Sequence, residues 1–218
     1  MTITTPPAAE PRTSYEFEFA HQMDDIDALI ETETNPARRR ILINYRRHGM
    51  LEVSGRYDEL LAENMTVRHP KYRIFEGGAG VILDGMQQVR DFYAMLADMD
   101  MLVMWTGRQK MAVAEWGFAG EAEFSQFVPG KLLGDNVFAS AGDESAASSE
   151  YDPDGWYLVR RTLAFAWMYD ENQLMIGEHV YEDTESKVVT QVSADEVITA
   201  ARAAELLAGI IDKYPLGG

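Results

Sequence analysis

The sequence predicts a single α+β domain, and three observations lead to this prediction. Apolar residues recur at helical spacing through much of residues 36–98. From 101 to 182 they alternate with a period of two, and Trp, Phe, Tyr and Val are frequent there. A further helix-start signal follows at Ser193. Helices that are segregated from one mostly antiparallel sheet are typical of the α+β class.

The first helices are marked by their ends. Asn35 followed by Pro36 combines a capping side chain with a proline in the first turn, and this helix is expected to end at residues 54–55. A short second helix follows it. Asp84, with Gln87 three residues later, predicts the start of a third helix. The buried stripe of the third helix is Val89, Phe92, Tyr93 and Leu96.

Strand-like segments follow the second and third helices. Residues 65–70 end at a proline and precede a hairpin that contains Gly77-Gly78. Four longer segments predict antiparallel strands, and residues 170–172 supply the turn between the last two. These strands are expected at 101–109, 111–128, 156–169 and 173–182.

The domain layout follows from these elements. We predict a flexible N-terminal arm over residues 1–20 and one domain over residues 21–218. The core of this domain is expected at 36–185 and its C-terminal helix at 193–213. The connection at 130–155 is rich in Gly, Ala, Ser and Asp, and it could be a lid, a dimer contact or an unstructured segment.

The composition excludes several classes of function. The chain has 218 residues, with 36 acidic and 19 basic side chains and no cysteine. Its formal charge of −17 repels phosphate, so we expect no binding to nucleic acid or to an anionic membrane. The absence of cysteine excludes disulfides and thiol nucleophiles. Because no secretion signal and no membrane-length apolar run is apparent, we expect a cytoplasmic protein.

The order of elements and three motifs resemble the nuclear-transport-factor-two-like superfamily, in particular its SnoaL-like and ketosteroid-isomerase-like branch. The motifs are NYRRHG in the first helix, AENMTVRHP before the hairpin and VRDFYAML in the third helix, all within residues 36–185. The resemblance implies a curved, mostly antiparallel sheet that forms a cone, with the N-terminal helices closing a central pocket. It also implies a homodimer or a higher homo-oligomer.

The ketosteroid-isomerase pattern can be carried over residue by residue. By resemblance, Tyr45 takes the place of the helix tyrosine that donates to an oxyanion, and His69 takes the place of the carboxylate that accepts the proton. Tyr93 matches the tyrosine that buttresses the first one. The histidine departs from the family's aspartate, and the position of a second donor falls near Ala164 and Phe165. The resemblance therefore does not indicate a steroid isomerase.

These side chains suit acid–base chemistry. An unperturbed imidazole titrates near pH 6.5, so His69 is expected to act as the base. Tyr45 can donate to an oxygen that becomes negative. His48 follows it on nearly the same helix face and could share a substrate proton or hold the phenol. Each residue also has a structural interpretation, as a hydrogen-bonded histidine or a core tyrosine.

The substrate contacts are predicted from strand alternation. Phe165 and Trp167 share one face of their strand, with Arg161 at its end. The segment just after His69 could neutralise an anionic substrate group. Filling of the core is the alternative interpretation of the aromatic residues. The candidate substrate-binding residues are Tyr93, Lys71, Tyr72, Arg73, Trp105, Trp116, Arg161, Phe165 and Trp167.

Four charged residues lie inside strand-like segments, where an unpaired buried charge is costly. They could line a pocket, pair with one another across the sheet or face solvent on its outer side. These residues are Arg108, Glu115, Arg161 and Glu178.

We therefore expect a cofactor-free lyase or dehydratase that uses acid–base catalysis on a small apolar, aromatic, hydroxylated substrate. By family analogy, the substrate could be a lignin-derived aromatic dimer that loses water or is cleaved at a carbon–carbon bond, as in aromatic catabolism. The alternatives are an isomerase, a polyketide-cyclase-like enzyme, or a non-catalytic ligand-binding or dimerisation module. A hydrolase finds no support, since no Asp/Arg/Asp constellation is apparent. The four histidines show no known metal-ligand spacing, so no metal is expected.

Overall fold

The structure is a computed structural model that describes residues 7–76, 79–133 and 150–216. Its α-helices are α1 (Ser14–Ala20), α2 (Asp24–Thr32), α3 (Pro36–Val53), α4 (Tyr57–Leu60), α5 (Met86–Asp98) and α6 (Ala200–Leu207). Its strands are β1 (Lys71–Glu76), β2 (Ala79–Asp84), β3 (Met104–Ala114), β4 (Gly117–Pro129), β5 (Trp156–Tyr169) and β6 (Met175–Val192).

The six strands form one curved, unclosed sheet in the order β2-β1-β6-β5-β4-β3. All neighbouring strands are antiparallel except β1 and β6, which are parallel. Irregular pairing between Thr106 and Gln109 and between Arg160 and Thr162 interrupts the ladders, and such bulges bend strands. The predicted α+β class, with helices against a mostly antiparallel curved sheet, is confirmed.

The central helix is α3. Its N-terminus is capped as the sequence indicates, because the Asn35 Oδ1 atom accepts hydrogen bonds from the backbone N–H groups of Ala37 (2.9 Å) and Arg38 (3.1 Å). The ring of Tyr45 on this helix packs against Phe118 of β4, with centroids 4.6 Å apart. One face of α3 is thus fixed against the inner face of the sheet.

Part of the segment that was predicted to be a flexible N-terminal arm is helical. Residues 14–20 form α1, whose N-cap Thr13 accepts from the Glu16 backbone N–H at 3.1 Å. Phe19 on this helix is fully buried, and α2 buries Ile26 and Ile30 in the same core. The prediction of a flexible arm is therefore wrong for residues 14–20, because a capped helix with a buried aromatic side chain docks there.

Two other local predictions need correction. Residues 65–70 form no strand, and only Thr66 makes an isolated bridge, to Met175. Asp84 ends β2 and does not cap the third helix, because its carboxylate binds His69 and Lys71. Gly85 occupies the N-cap position instead, with φ of 106°.

The C-terminal segment is a broken helix. The capping box of Ser193 and Glu196 is present, but it opens a 3₁₀ turn over Ala194–Glu196. Thr199 then caps α6, and a second 3₁₀ turn covers Ile211–Lys213.

Part of the predicted connection at 130–155 and the Gly77-Gly78 turn lie outside the described residues. Four antiparallel strands and the turn at 170–172 are confirmed, but the turn between the first two lies at residues 115–116 and not at 110, and the last strand continues to Val192. None of the helices in the described ranges has the length and apolarity that crossing a bilayer requires.

Candidate active site

A cavity of about 80 Å³ lies between the helices and the inner face of the sheet. It is bounded by α3, α5, the turn between α1 and α2, and strands β1, β3, β4, β5 and β6. Aromatic side chains form much of its wall, which makes the interior largely apolar. These side chains are Tyr45, Phe92, Trp105, Phe124, Phe165 and Trp167.

Three carboxyl side chains interrupt this apolar wall. Glu52 lies on α3, seven residues after Tyr45 on the same face of the helix. Glu76 ends β1 at an inward position of the strand. Glu178 lies on β6 and pairs in register with Trp167 of β5. The cavity is therefore acidic as well as aromatic.

Glu178 is the most unusual of the three. It is only 7% exposed, and in the part of the chain that the structure describes its carboxyl group has no hydrogen-bond or ion-pair partner. Burial raises its pKa well above the usual range, and repulsion from Glu52 and Glu76 acts in the same direction. The neutral acid is thus favoured, and it can donate a proton under conditions in which an ordinary glutamate cannot.

Glu76, by contrast, is paired. The Arg161 Nη2 atom donates to Glu76 Oε2 at 2.5 Å and to Gln126 Oε1 at 3.1 Å, and the Arg161 Nε atom lies 3.8 Å from Glu182 Oε1. Burial raises the pKa of Glu76, while the guanidinium offsets part of this effect. Glu76 and Glu182 therefore share a cation that lies just behind the cavity wall.

Tyr45 lines the cavity as predicted, but its proton already has an acceptor. The hydroxyl group donates to Gln109 Oε1 at 2.7 Å. The Gln109 amide in turn donates to Thr106 Oγ1 at 2.9 Å and to the backbone oxygen of Gln22 at 3.2 Å. Burial raises the pKa of Tyr45, so the phenol stays protonated. It can serve a bound molecule as a donor only if it leaves Gln109.

His48 is fully buried behind the cavity wall. Its Nε2 atom lies 3.2 Å from the Tyr93 hydroxyl and 3.4 Å from Glu52 Oε2. The Tyr93 hydroxyl lies 3.5 Å from that of Tyr72. Burial raises the pKa values of both tyrosines. His48 therefore contacts the cavity through Glu52.

His69 is not part of this cavity. Its side chain is 74% exposed, and its Nε2 atom lies 2.7 Å from Asp84 Oδ1. The ring packs over Gly85 at the junction of β2 and α5. The expectation that Tyr45 and His69 converge is wrong, because the residue before Pro70 lies outside the sheet's inner face.

The other predicted substrate contacts divide into two groups. Trp105, Phe165 and Trp167 line the cavity, and Arg161 lies behind it. The remaining residues do not line it. Tyr72 and Tyr93 are buried beside His48, Lys71 binds Asp84 at 2.7 Å, Arg73 is half-buried on the opposite side of β1, and Trp116 is 50% exposed at the β3–β4 turn.

The predicted buttress between Tyr93 and Tyr45 is also absent, since the hydroxyl of Tyr93 faces His48 while that of Tyr45 faces Gln109. Of the four charged strand residues, Arg161 and Glu178 are buried, whereas Arg108 and Glu115 are exposed.

Sequence reasoning missed three polar residues of the site. Glu52 could have been found, because it follows His48 by four residues on one helix face. Glu76 could have been found from its alternation with Ile74 in β1. Gln109 carried no signal, because the irregular pairing after Thr106 changes the side to which β3 residues point.

No group of three or more His, Asp or Glu side chains within residues 7–76, 79–133 and 150–216 is arranged to hold a metal ion.

The sequence matches no family model and no curated protein. Among solved structures, the chain is similar to a protein described only as a SnoaL-like polyketide cyclase from Jannaschia sp. CCS1, with 10% identity, a TM-score of 0.49, and coverage of 70% of this chain and 91% of that chain. A nuclear-transport-factor-two-like protein from Anabaena variabilis has 8% identity and a TM-score of 0.47, with 71% of this chain and 97% of that chain covered.

A third similar structure is the epoxide hydrolase/cyclase-like enzyme SalBIII, which has a role in pyran ring formation in the polyether salinomycin. It shows 11% identity and a TM-score of 0.43 over 70% of this chain and 95% of that chain. Two of these three structures are thus described as SnoaL-like or nuclear-transport-factor-two-like. At this identity the likeness concerns the fold alone.

Proposed function

We propose that the cavity is the active site of an acid–base enzyme of the lyase or dehydratase type, and that Glu178 is its proton-transfer group. The substrate is a small, largely apolar molecule that carries a hydroxyl group. The observation that supports this proposal is an unpartnered, buried carboxyl group in an aromatic cavity. Such perturbed groups in clefts concentrate at functional sites.

The proposed reaction needs only one residue that changes its protonation state. Glu178 gives its proton to the substrate hydroxyl while the carbon–oxygen bond breaks, and water leaves. The resulting carboxylate then removes a proton from the neighbouring carbon, a carbon–carbon double bond forms, and the neutral acid is restored. Tyr45 and Trp167 line the cavity, and aromatic rings can stabilise the positive charge that develops on the substrate.

Tyr45 and His48 keep roles in this proposal, although neither is the main proton-transfer group. Tyr45 is held by Gln109, so its ring is fixed against Trp167 with centroids 5.0 Å apart. His48 acts as a positioning residue for Glu52, to which its Nε2 atom is close. His69 has no part in the proposed reaction.

The size of the cavity limits the substrate. An engineered cavity of about 150 Å³ binds benzene, whereas this one measures about 80 Å³. We therefore propose a substrate no larger than a single ring. A two-ring lignin dimer is too large for this cavity. A single ring requires movement of Met23 and Met104, whose unbranched side chains adapt readily.

Water loss from compact alcohols tests this function. A panel from isobutanol to benzylic alcohols such as phenylethanol is incubated with the protein, and new alkene protons are followed by NMR. We expect turnover by the wild type and a loss of about 100-fold in Glu178→Gln. Glu63→Gln is the matched control, because it removes one exposed carboxylate elsewhere. Turnover in Glu178→Gln within a few-fold of wild type refutes the proposed role.

A non-catalytic ligand-binding module is the second candidate. It is favoured by the small volume of the cavity, by Met23 and Met104 in its wall, and by the engagement of the Tyr45 proton with Gln109. Saturable binding without turnover of any alcohol would support this candidate. An isomerase or a polyketide-cyclase-like enzyme would use the same proton transfers and would give an isomeric product without loss of water.

A homodimer or higher homo-oligomer and a cytoplasmic location stay predictions. The outer face of the sheet is the proposed dimer surface. Phe75 and Tyr181 stack there with ring centroids 5.5 Å apart, and both are partly exposed, as is Ile82 on β2.

A further inference from the structure

The ionisable side chains in the cavity wall are mainly acidic. Its wall carries three carboxyl groups, and no lysine, arginine or histidine is among the described residues that line it. An anionic ligand would therefore find no cationic side chain among these lining residues. This distribution also argues against the anionic substrate that Lys71 and Arg73 were expected to neutralise, since neither residue lines the cavity.

The three carboxyl groups differ in whether a positively charged side chain lies beside them. Glu76 has the Arg161 guanidinium at 2.5 Å. Glu52 has only the edge of His48 at 3.4 Å, and Glu178 has no partner in the described ranges. Glu52 and Glu178 also repel each other across the cavity. A positive group that belongs to a ligand would supply the charge that the protein does not.

The aromatic wall suits the same kind of ligand. Trp167 lies opposite Glu178 in the strand register, and its ring packs edge-on against Tyr45 with centroids 5.0 Å apart. Aromatic faces attract ammonium groups, and tryptophan does so most strongly. A cation held by carboxylates and flanked by aromatic rings is stabilised by both effects.

A groove beside the cavity continues this pattern. The two share Gln22, Trp105 and Thr106 as a common wall, and the groove is open and has a volume of about 380 Å³. Its rim contains four carboxylates, Glu18, Asp24, Asp25 and Glu123, against two arginines. One of these arginines, Arg160, is already paired with Glu18 and Glu123. The field at the common wall therefore attracts cations.

We infer that the ligand of this cavity is a small amine in its protonated form, with its ammonium group between Glu52 and Glu178 and its apolar part against Trp167 and Phe165. This inference rests on the proposed function, since it adds a charged group to the same substrate on a carbon separate from the one that carries the hydroxyl. Glu52, steadied by His48, supplies the lasting negative charge, and Glu178 remains the group that exchanges a proton.

Three molecules of nearly equal size test the inference: isobutylamine, isobutanol and isobutyrate. At neutral pH the first is a cation, the second is neutral and the third is an anion. Binding to the full-length protein is measured by NMR titration at fixed ionic strength. We expect isobutylamine to bind about tenfold more tightly than isobutanol, and isobutyrate to show no saturation.

The variants make the result specific to the site. Glu52→Gln, which removes the lasting negative charge, should reduce the preference for isobutylamine over isobutanol to within about threefold. Glu63→Gln removes the same charge from an exposed position and should leave the preference unchanged. Thermal unfolding of each variant confirms that it is folded.

Two results would overturn the inference: equal or weaker binding of isobutylamine relative to isobutanol in the wild type, or an unchanged preference in Glu52→Gln. Turnover of alcohols without amine binding would refute the amine inference alone. Amine binding without turnover of any alcohol or amino alcohol would refute the proposed function alone.

Discussion

Replacement of Glu178 by glutamine should make the protein more stable, and the gain should grow with pH. The folded pKa of Glu178 lies well above the unfolded value of about 4.5, because burial disfavours the charged form. Between these two values the folded state holds a proton that the unfolded state has lost. The contribution of Glu178 to stability therefore falls as the pH rises through this window, and this contribution is highest below the unfolded pKa.

The magnitude follows from proton linkage. Each pH unit between the two pKa values costs the wild type about 1.4 kcal/mol of unfolding free energy. Glutamine has nearly the same shape and stays neutral, so Glu178→Gln removes this slope. The repulsion that Glu178 exerts on Glu52 and Glu76 acts in the same direction. Tyr45 also faces this group but stays protonated throughout the window.

Urea unfolding of the wild type and of Glu178→Gln at several pH values from about pH 5 to about pH 8 measures the effect. We expect the difference in unfolding free energy to rise by about 1.4 kcal/mol per pH unit until the folded pKa is reached. Glu63→Gln, in which an exposed carboxylate is removed, should show a difference that does not change with pH. A flat difference for Glu178→Gln would refute the conclusion that burial raises the pKa of Glu178.

Four further predictions follow from the geometry. His69→Ala should leave turnover or ligand binding within about twofold of wild type, because the side chain lies outside the cavity. Arg161→Met should cost about 3–5 kcal/mol in chemical unfolding, because it leaves Glu76 buried without its cation, and Glu76→Gln in the same chain should restore part of this loss. Gly117→Ala should cost more than about 2 kcal/mol in the same assay, because φ is 142° and the new Cβ atom would lie 1.9 Å from a backbone oxygen of β5. Phe75→Glu should shift the protein toward the monomer in analytical ultracentrifugation, and an unchanged mass distribution would refute the proposed dimer surface.

Local signals were sufficient to predict most of the fold. The helix cap at Asn35 and the period-two alternation in β5 each involve residues that are close in sequence. Both predictions are confirmed. Helix α1 was missed because its stabilisation comes from the burial of Phe19 among residues far along the chain. The Asp84 cap failed for a similar reason, since His69 and Lys71 bind the carboxylate.

The candidate site was harder to predict, because its geometry depends on how distant strands and helices pack together and on which residues point to the inner face of the sheet. Tyr45 and Trp167 were identified, and Glu178 was singled out as a charge inside a strand. The partner assigned to Tyr45 was wrong, because His69 lies on the outer side of the chain reversal before β1. The actual partner of the Tyr45 hydroxyl is Gln109. The register of β3 shifts between Thr106 and Gln109, and no local sequence pattern predicts this shift.

Two carboxyl groups of β6 differ in whether a cation lies beside them. Glu178 and Glu182 are about 13 Å apart along the strand, at about 3.3 Å per residue, so one guanidinium cannot serve both. Arg161 is placed near Glu182 and Glu76, and the Glu178 end of the cavity has no cation in the described part of the chain. A carboxyl group that only filled space would be replaced without loss by an apolar residue, because burying it unpaired costs stability. The position of Glu178 opposite Trp167 therefore supports the proposal that a bound molecule takes up its proton or pairs with its charge.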